Sequence, residues 1–243
     1  MKKVLLFCLI ALPVMAMAFV NSSCETFHER VKGSGVSKSE DRNVSGFSGI
    51  STSGIYDVVL TQGNAESVKL EADDNLLPYI ETVVSGKTLQ IKSKNGVSIE
   101  PKSKITVYVT IKDLKAVSAS GASKVTSTGT INGSNLGVEL SGATLCKLDV
   151  AMSKVEIKAS GAARVDLAGT AAAVNVGASG AAIIRADKLS SDNVNVEASG
   201  GSNVVVNADK ALNAGASGGS SIRYSGAGKA NVSTSGGASV SRL

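Results

Sequence analysis

The sequence predicts an all-β chain folded as a right-handed parallel β-helix, a solenoid with coils of about 19 residues and an irregular N-terminal cap. Three observations predict it. Ser-Gly followed by Ala or Gly recurs at Ser120, Ser141, Ser160, Ser179, Ser199, Ser217 and Ser235, at spacings of 18 to 21 residues. Five residues after each of these serines stands an unbroken apolar column: Val125, Cys146, Val165, Ile184, Val204, Ile222 and Val240. The composition, 26 Gly and 3% aromatic in 243 residues, describes a chain that packs by small side chains in tight turns. With three Pro and no Gly-X-Y period it is not collagen.

The first 23 residues read as a signal peptide. Lys2 and Lys3 precede an apolar run from Val4 to Val20, shorter than the ~20 residues a spanning helix needs. Asn21-Ser22-Ser23-Cys24 resembles a bacterial lipobox, which makes Cys24 the lipidation site and the membrane a partner through that anchor; Ala16-Met17-Ala18 is the alternative cleavage site, giving a periplasmic or secreted product. Cleavage before Cys24 leaves 220 residues and lowers the net charge from +5 to +3, so the basic balance is partly an export signal and gives nucleic acid no support as a partner. Residues 24–43, with Gly33-Ser34-Gly35 and mixed charges, read as a polar tether.

Residues 44–243 then form one domain, an N-terminal part over 44–115 and repeat coils over 116–243. In the first part Ser53-Gly54 repeats the register once, with Ile50 before it and Val58 and Leu60 after; Asp73 to Ile80 reads as a short helical turn, Thr82 to Ile91 as a hairpin about Ser85-Gly86, and Ile105 to Ile111 as a strand. In the coils, Val117, Val138, Ile157, Val176, Val196, Ala214 and Val232 form a second inward column three residues before the Ser, and Leu136, Val155, Val174, Val194 and Leu212 a third, five before. This alternation marks strands with one buried face, too short to pair within a unit, so each pairs with its equivalent in the next coil. A looser polar turn, such as Asp187 to Asn193, closes each unit.

Gly121, Gly142, Gly161, Gly180, Gly200, Gly218 and Gly236 occupy one corner, where a sharp turn calls for positive φ. Ala119, Ala159, Ala178, Ala198 and Ala216 precede it and suit a narrow interior. Outward, Lys147, Asp166 and Arg185 would stack opposite charges about 4.8 Å apart, and Asn175, Asn195, Asn213 and Asn231 would form a polar ladder or a ligand strip. Cys146 is the thiol left after Cys8 and Cys24 are assigned to the leader and the anchor, and its column buries it.

The residues Phe47-Ser48-Gly49-Ile50, the run Gly54 to Gly63, the segment Val68 to Leu77 and the Ser-Gly-Ala coils resemble the head GIN domain family of auto-transporter adhesins, frequent in Bacteroidetes. The resemblance covers about Val44 to the C-terminus. It implies a β-helical, exported, envelope-associated protein, here an outer-membrane lipoprotein, with no catalytic residues to carry over.

Chemistry is sparse. No His occurs after His28, no Trp occurs at all, and no P-loop, calcium-repeat or metal motif is present; catalytic, cofactor-binding and metal residues are therefore assigned to none, and no cofactor is expected. A polysaccharide-lyase-like enzyme would need Asp clustered with Lys or Arg on one outer face, and Asp149, Asp166, Asp187 and Asp209 do not share a column. The reading reached is a non-catalytic envelope adhesin contacting a surface glycan or protein. Its alternative is a self-associating, bactofilin-like scaffold: Gly236 to Leu243 lies inside the repeat, so the last strand is expected to have an open edge and to support a homo-oligomer.

Overall fold

The computed structural model describes residues 29–243. The signal peptide, Cys24 and both cleavage sites lie outside the described residues. The chain is a parallel β-solenoid whose inward columns follow the expected register. Val125 pairs with Cys146, Cys146 with Val165, and the pairing continues coil by coil through Ile184, Val204 and Ile222 to Val240. Each apolar side chain rests on its equivalent above and below, so a core forms although no coil buries a core of its own.

Before the repeat coils come β1 (Glu29–Lys32), β2 (Ser37–Arg42), β3 (Gly49–Gly54), β4 (Tyr56–Gln62) and β5 (Ser67–Asp73), a single 3-10 turn at Leu77–Tyr79, then β6 (Ile80–Ser85), β7 (Thr88–Ser93), β8 (Val97–Glu100) and β9 (Ile105–Ile111). The strands β3 and β4 form one rung and stack on the repeat coils. Strands β7 and β9 form a further rung on the opposite side of them, with Leu89 on Ile50 and Val107 on Val58. The chain thus builds its second rung, moves outward to build the terminal one, and returns to continue the solenoid from the other side. Antiparallel strands close this end: β6 on β7, β5 on β9, and β2 on β5.

Residues 29–42 correct the polar tether. They form β1, parallel to β8, and β2, antiparallel to β5. Their side chains are largely exposed, as their polarity requires, but edge strands need only backbone partners, and Arg42 adds a 2.9 Å bond from Nη2 to the Leu77 carbonyl.

The repeat coils comprise β10 (Ala116–Gly121), β11 (Lys124–Leu140), β12 (Leu145–Ala159), β13 (Arg164–Ala178), β14 (Ile183–Ala198), β15 (Asn203–Asn207), β16 (Ala211–Ala216), β17 (Ser221–Ser225), β18 (Lys229–Thr234) and β19 (Ser239–Arg242). From β11 to β14 the expected polar turn is a bend inside one strand of 15 to 17 residues, because most residues around it still pair with the neighbouring coil. The Ser-Gly corner interrupts every coil. All seven corner glycines have φ between +66° and +78°, and the carbonyls of the first five, Gly121 to Gly200, accept a bond from the next coil, as from Ala162 N to Gly142 O at 2.9 Å. A Cβ on Gly161 would lie 3.1 Å from both the nitrogen and the oxygen of Gly142, so stacking as well as φ demands glycine.

One inward residue departs from its column. Val232 is 44% exposed, because among the described residues no strand lies beyond β18 to cover it.

Candidate functional site

Two outward walls meet at the corner glycines. The wall before the corner carries the serines themselves, flanked by small residues. Gly177 lies between Lys158 and Glu197 in one outward column, and the gap it leaves forms a shallow depression of about 490 Å³ edged by Ser141, Ser160 and Ser179. Beside it runs the asparagine ladder. Asn195 Nδ2 donates to Asn175 Oδ1 at 2.9 Å, and Asn213 Nδ2 donates to Asn195 Oδ1 at 2.8 Å; Asn231 is in register with Asn213 without a hydrogen bond to it.

The wall after the corner is charged. Lys147, Asp166 and Arg185 are direct cross-strand neighbours, as expected, but the charge ladder does not form: Asp166 pairs with Arg164, two residues back on its own strand, at 2.9 Å. The flat guanidinium of Arg164 reaches both carboxylate oxygens from Nε. Around this pair lies a trough of about 460 Å³ whose rim includes Lys147, Arg185, Lys188, Asp149 and Asp187. Separate columns had argued against an acid cluster, yet three of the four candidate aspartates share this trough. The fourth, Asp209, accepts from Ser190 Oγ elsewhere at 2.9 Å. Adjacent columns explain the gathering: Asp166 stands six residues after its Ser and Asp149 and Asp187 eight after theirs, two outward positions side by side on the same wall, while β11 slips against β12 between Thr126 and Thr130 and β14 slips against β13 beyond Asp166. Each slip inserts extra residues that turn side chains out of their columns.

These aspartates do not form a metal centre: among the described residues no group of three His, Cys, Asp or Glu side chains is placed to hold a cation. Cys146 is fully enclosed, and burial, with a smaller contribution from the nearby Asp166 charge, pushes its thiol up to about 12, so it is a packing residue with almost no thiolate at neutral pH. Sequence reasoning missed Asp73, a buried carboxylate at the capped end. Its Oδ2 accepts the backbone N–H of Lys102 at 2.8 Å. Burial raises its pKa, but bonds from Lys102, from the hydroxyl and N–H of Ser103 and from the N–H of Gly35 outweigh that and hold the carboxyl below the ordinary range. The Asp73-Asp74-Asn75 run was the available signal, since such residues commonly tie down loops.

A family model described as "Putative auto-transporter adhesin, head GIN domain" matches residues 46–228. Among solved structures, the chain is similar to "a putative adhesin" from Bacteroides fragilis NCTC 9343, with TM-score 0.82 and 21% identity over 88% of this chain and 100% of that one. A "putative adhesin" from Parabacteroides merdae ATCC 43184 gives 0.74 and 22% over 88% and 99%, and a "Putative lipid binding protein" from Parabacteroides distasonis ATCC 8503 gives 0.73 and 18% over 88% and 100%. At these identities the likeness is one of fold. Comparison with curated proteins finds no match.

Proposed function

The chain belongs to the head GIN domain family, and from that premise we infer that it is a non-catalytic cell-surface module that holds a glycan or protein ligand against the walls of its solenoid. The observation that carries this reading is the continuity of the walls. Outward side chains repeat at one strand spacing, about 4.8 Å, over the whole stack of coils, which suits weak contacts added along an extended partner. An envelope location by lipidation at Cys24 fits the same reading. The test is attachment: full-length protein displayed on cells or beads should adhere to a ligand-bearing surface, and a glycan array should return a related set of sugars. Failure of both refutes the surface-contact reading. Cys24→Ala protein should leave the membrane fraction; if it stays, a lipid on Cys24 is not what anchors it.

A second reading, self-association, is favoured by the exposure of Val232 beside the unpaired outer edges of β18 and β19 among the described residues. Val240→Pro should reduce oligomers in light scattering, by removing a donor from that edge. A strictly monomeric wild type refutes it.

A further inference from the structure

The trough after the corner is built into the fold. It spans β11 to β14, three strand spacings or about 14 Å. A register shift bounds it at each end, and the two coils between the shifts, β12 and β13, run in unbroken register. Ala168 provides a small floor residue, with Asp149 on one neighbouring strand and Lys188 on the other. Its charges are mostly unspent. Arg164 and Asp166 neutralise one another, whereas Lys147, Arg185 and Lys188 make no ion pair among the described residues, and neither do Asp149 and Asp187.

Deepening the surface-contact reading, on which it rests, we propose that this trough binds an acidic oligosaccharide, with Lys147 and Arg185 holding its carboxylate or sulfate groups and Asp149 and Asp187 accepting from its hydroxyls. Three unpaired cations beside two unpaired carboxylates match a ligand that carries both anions and many O–H donors. An acidic peptide lacks that density of donors. It also binds β-proteins chiefly by adding a strand at a free edge, and the trough lies in mid-sheet, where every strand already has neighbours on both sides.

Calorimetry on the purified full chain tests this with oligogalacturonate, sulfated dextran, unmodified dextran and polyglutamate. One or both acidic sugars should bind, more weakly as salt rises, and the pair of arms tells carboxylate from sulfate. Arg185→Gln and Lys147→Gln should each weaken binding about tenfold, the loss of one charged hydrogen bond. Lys158→Gln, the same charge change on the other wall, should leave it intact. Ala168→Leu should weaken it with all charges kept, by filling the floor. Equal loss in Lys158→Gln, equal binding of unmodified dextran, or tighter binding of polyglutamate overturns the proposal. If neither acidic sugar binds while displayed protein still adheres to its surface, the trough assignment fails and the surface-contact reading stands; a growing ultraviolet absorbance of oligogalacturonate, from new double bonds, would overturn the non-catalytic reading itself.

Discussion

Residues 29–115 and 116–243 share the same inward columns but fill them with different side chains. Both enclose Leu and Ile, such as Leu60 and Leu70 in the first and Ile157 and Ile184 in the second, but the first adds the enclosed Tyr56 and buries one alanine, Ala72, whereas the second buries eleven. The repeat coils fill more of their columns with Val and Ala. The difference follows from topology. A coil in mid-stack is covered above and below by copies of itself, so small residues in register suffice. Among the described residues the terminal rung of β7 and β9 has a coil on one side only, and antiparallel strands close the core there with larger groups such as Leu70. Closure by antiparallel strands at the capped end and stacking in register along the repeat are two ways of covering a core, which mutations can separate.

The largest effect should come from the capped end. Leu60→Ala removes a fully enclosed side chain between two rungs and should cost about 2–5 kcal/mol. Val176→Ala in a mid-stack column should cost less, because it deletes a smaller group. Urea denaturation followed by circular dichroism measures both. Equal costs would mean that the repeat is as tightly packed as the cap.

Next in size is a corner. Gly161→Val forces a β-branched residue to φ +70° and drives its Cβ onto the Gly142 backbone. The strain alone should cost about 1–3 kcal/mol, against a small change for Asp166→Asn on the outer wall. If the two variants melt alike, the corner does not need glycine.

Acid should then distinguish the two regions by location. Because the folded pKa of Asp73 is lowered, its contribution is complete above the unfolded carboxylate range and is lost as pH falls through the folded value. Protection factors, which correct exchange for its intrinsic slowing in acid, should fall for residues 33–36 and 102–103 as pH drops toward 3, while those of β12 and β13 change less. Asp73→Asn should remove the pH dependence. A uniform loss of protection along the chain would refute a local clamp.

Most of the repeat was legible because one requirement recurs in it. The spacing of Gly161, Gly180 and Gly200 marks the corner, and Val165, Ile184 and Val204 mark the wall that follows. The capped end was only partly legible: β9 is a plain alternating strand, Ile105–Ile111, but nothing local in it says that it stacks on β4, since that depends on where the chain returns in space. The tether reading failed for a related reason. Polarity excludes burial, and β2 is not buried; it is held by the backbone of β5. The trough was hidden because its aspartates stand in two neighbouring outward columns, six and eight residues after the Ser, and reading one column at a time keeps side-by-side columns apart.

The smallest expected effect tests how the repeat shares its stability. Asn195 is the middle rung of the ladder, donating to Asn175 and accepting from Asn213, so Asn195→Ala breaks two bonds. Both are exposed, and water replaces much of what is lost, so the cost should be about 1 kcal/mol. Asn231 occupies the same column but makes no amide bond to Asn213, and Asn231→Ala should cost almost nothing. A double-mutant cycle isolates the interaction: coupling between Asn175→Ala and Asn195→Ala should be measurable, whereas coupling between Asn175→Ala and Asn213→Ala, two coils apart, should vanish while Asn195 bridges them only by separate bonds. Equal costs for Asn195→Ala and Asn231→Ala would assign the column to backbone conformation rather than to hydrogen bonding. Strong coupling across two coils would show that the ladder acts as a unit, and the repeat would then be more cooperative than a sum of neighbouring contacts allows.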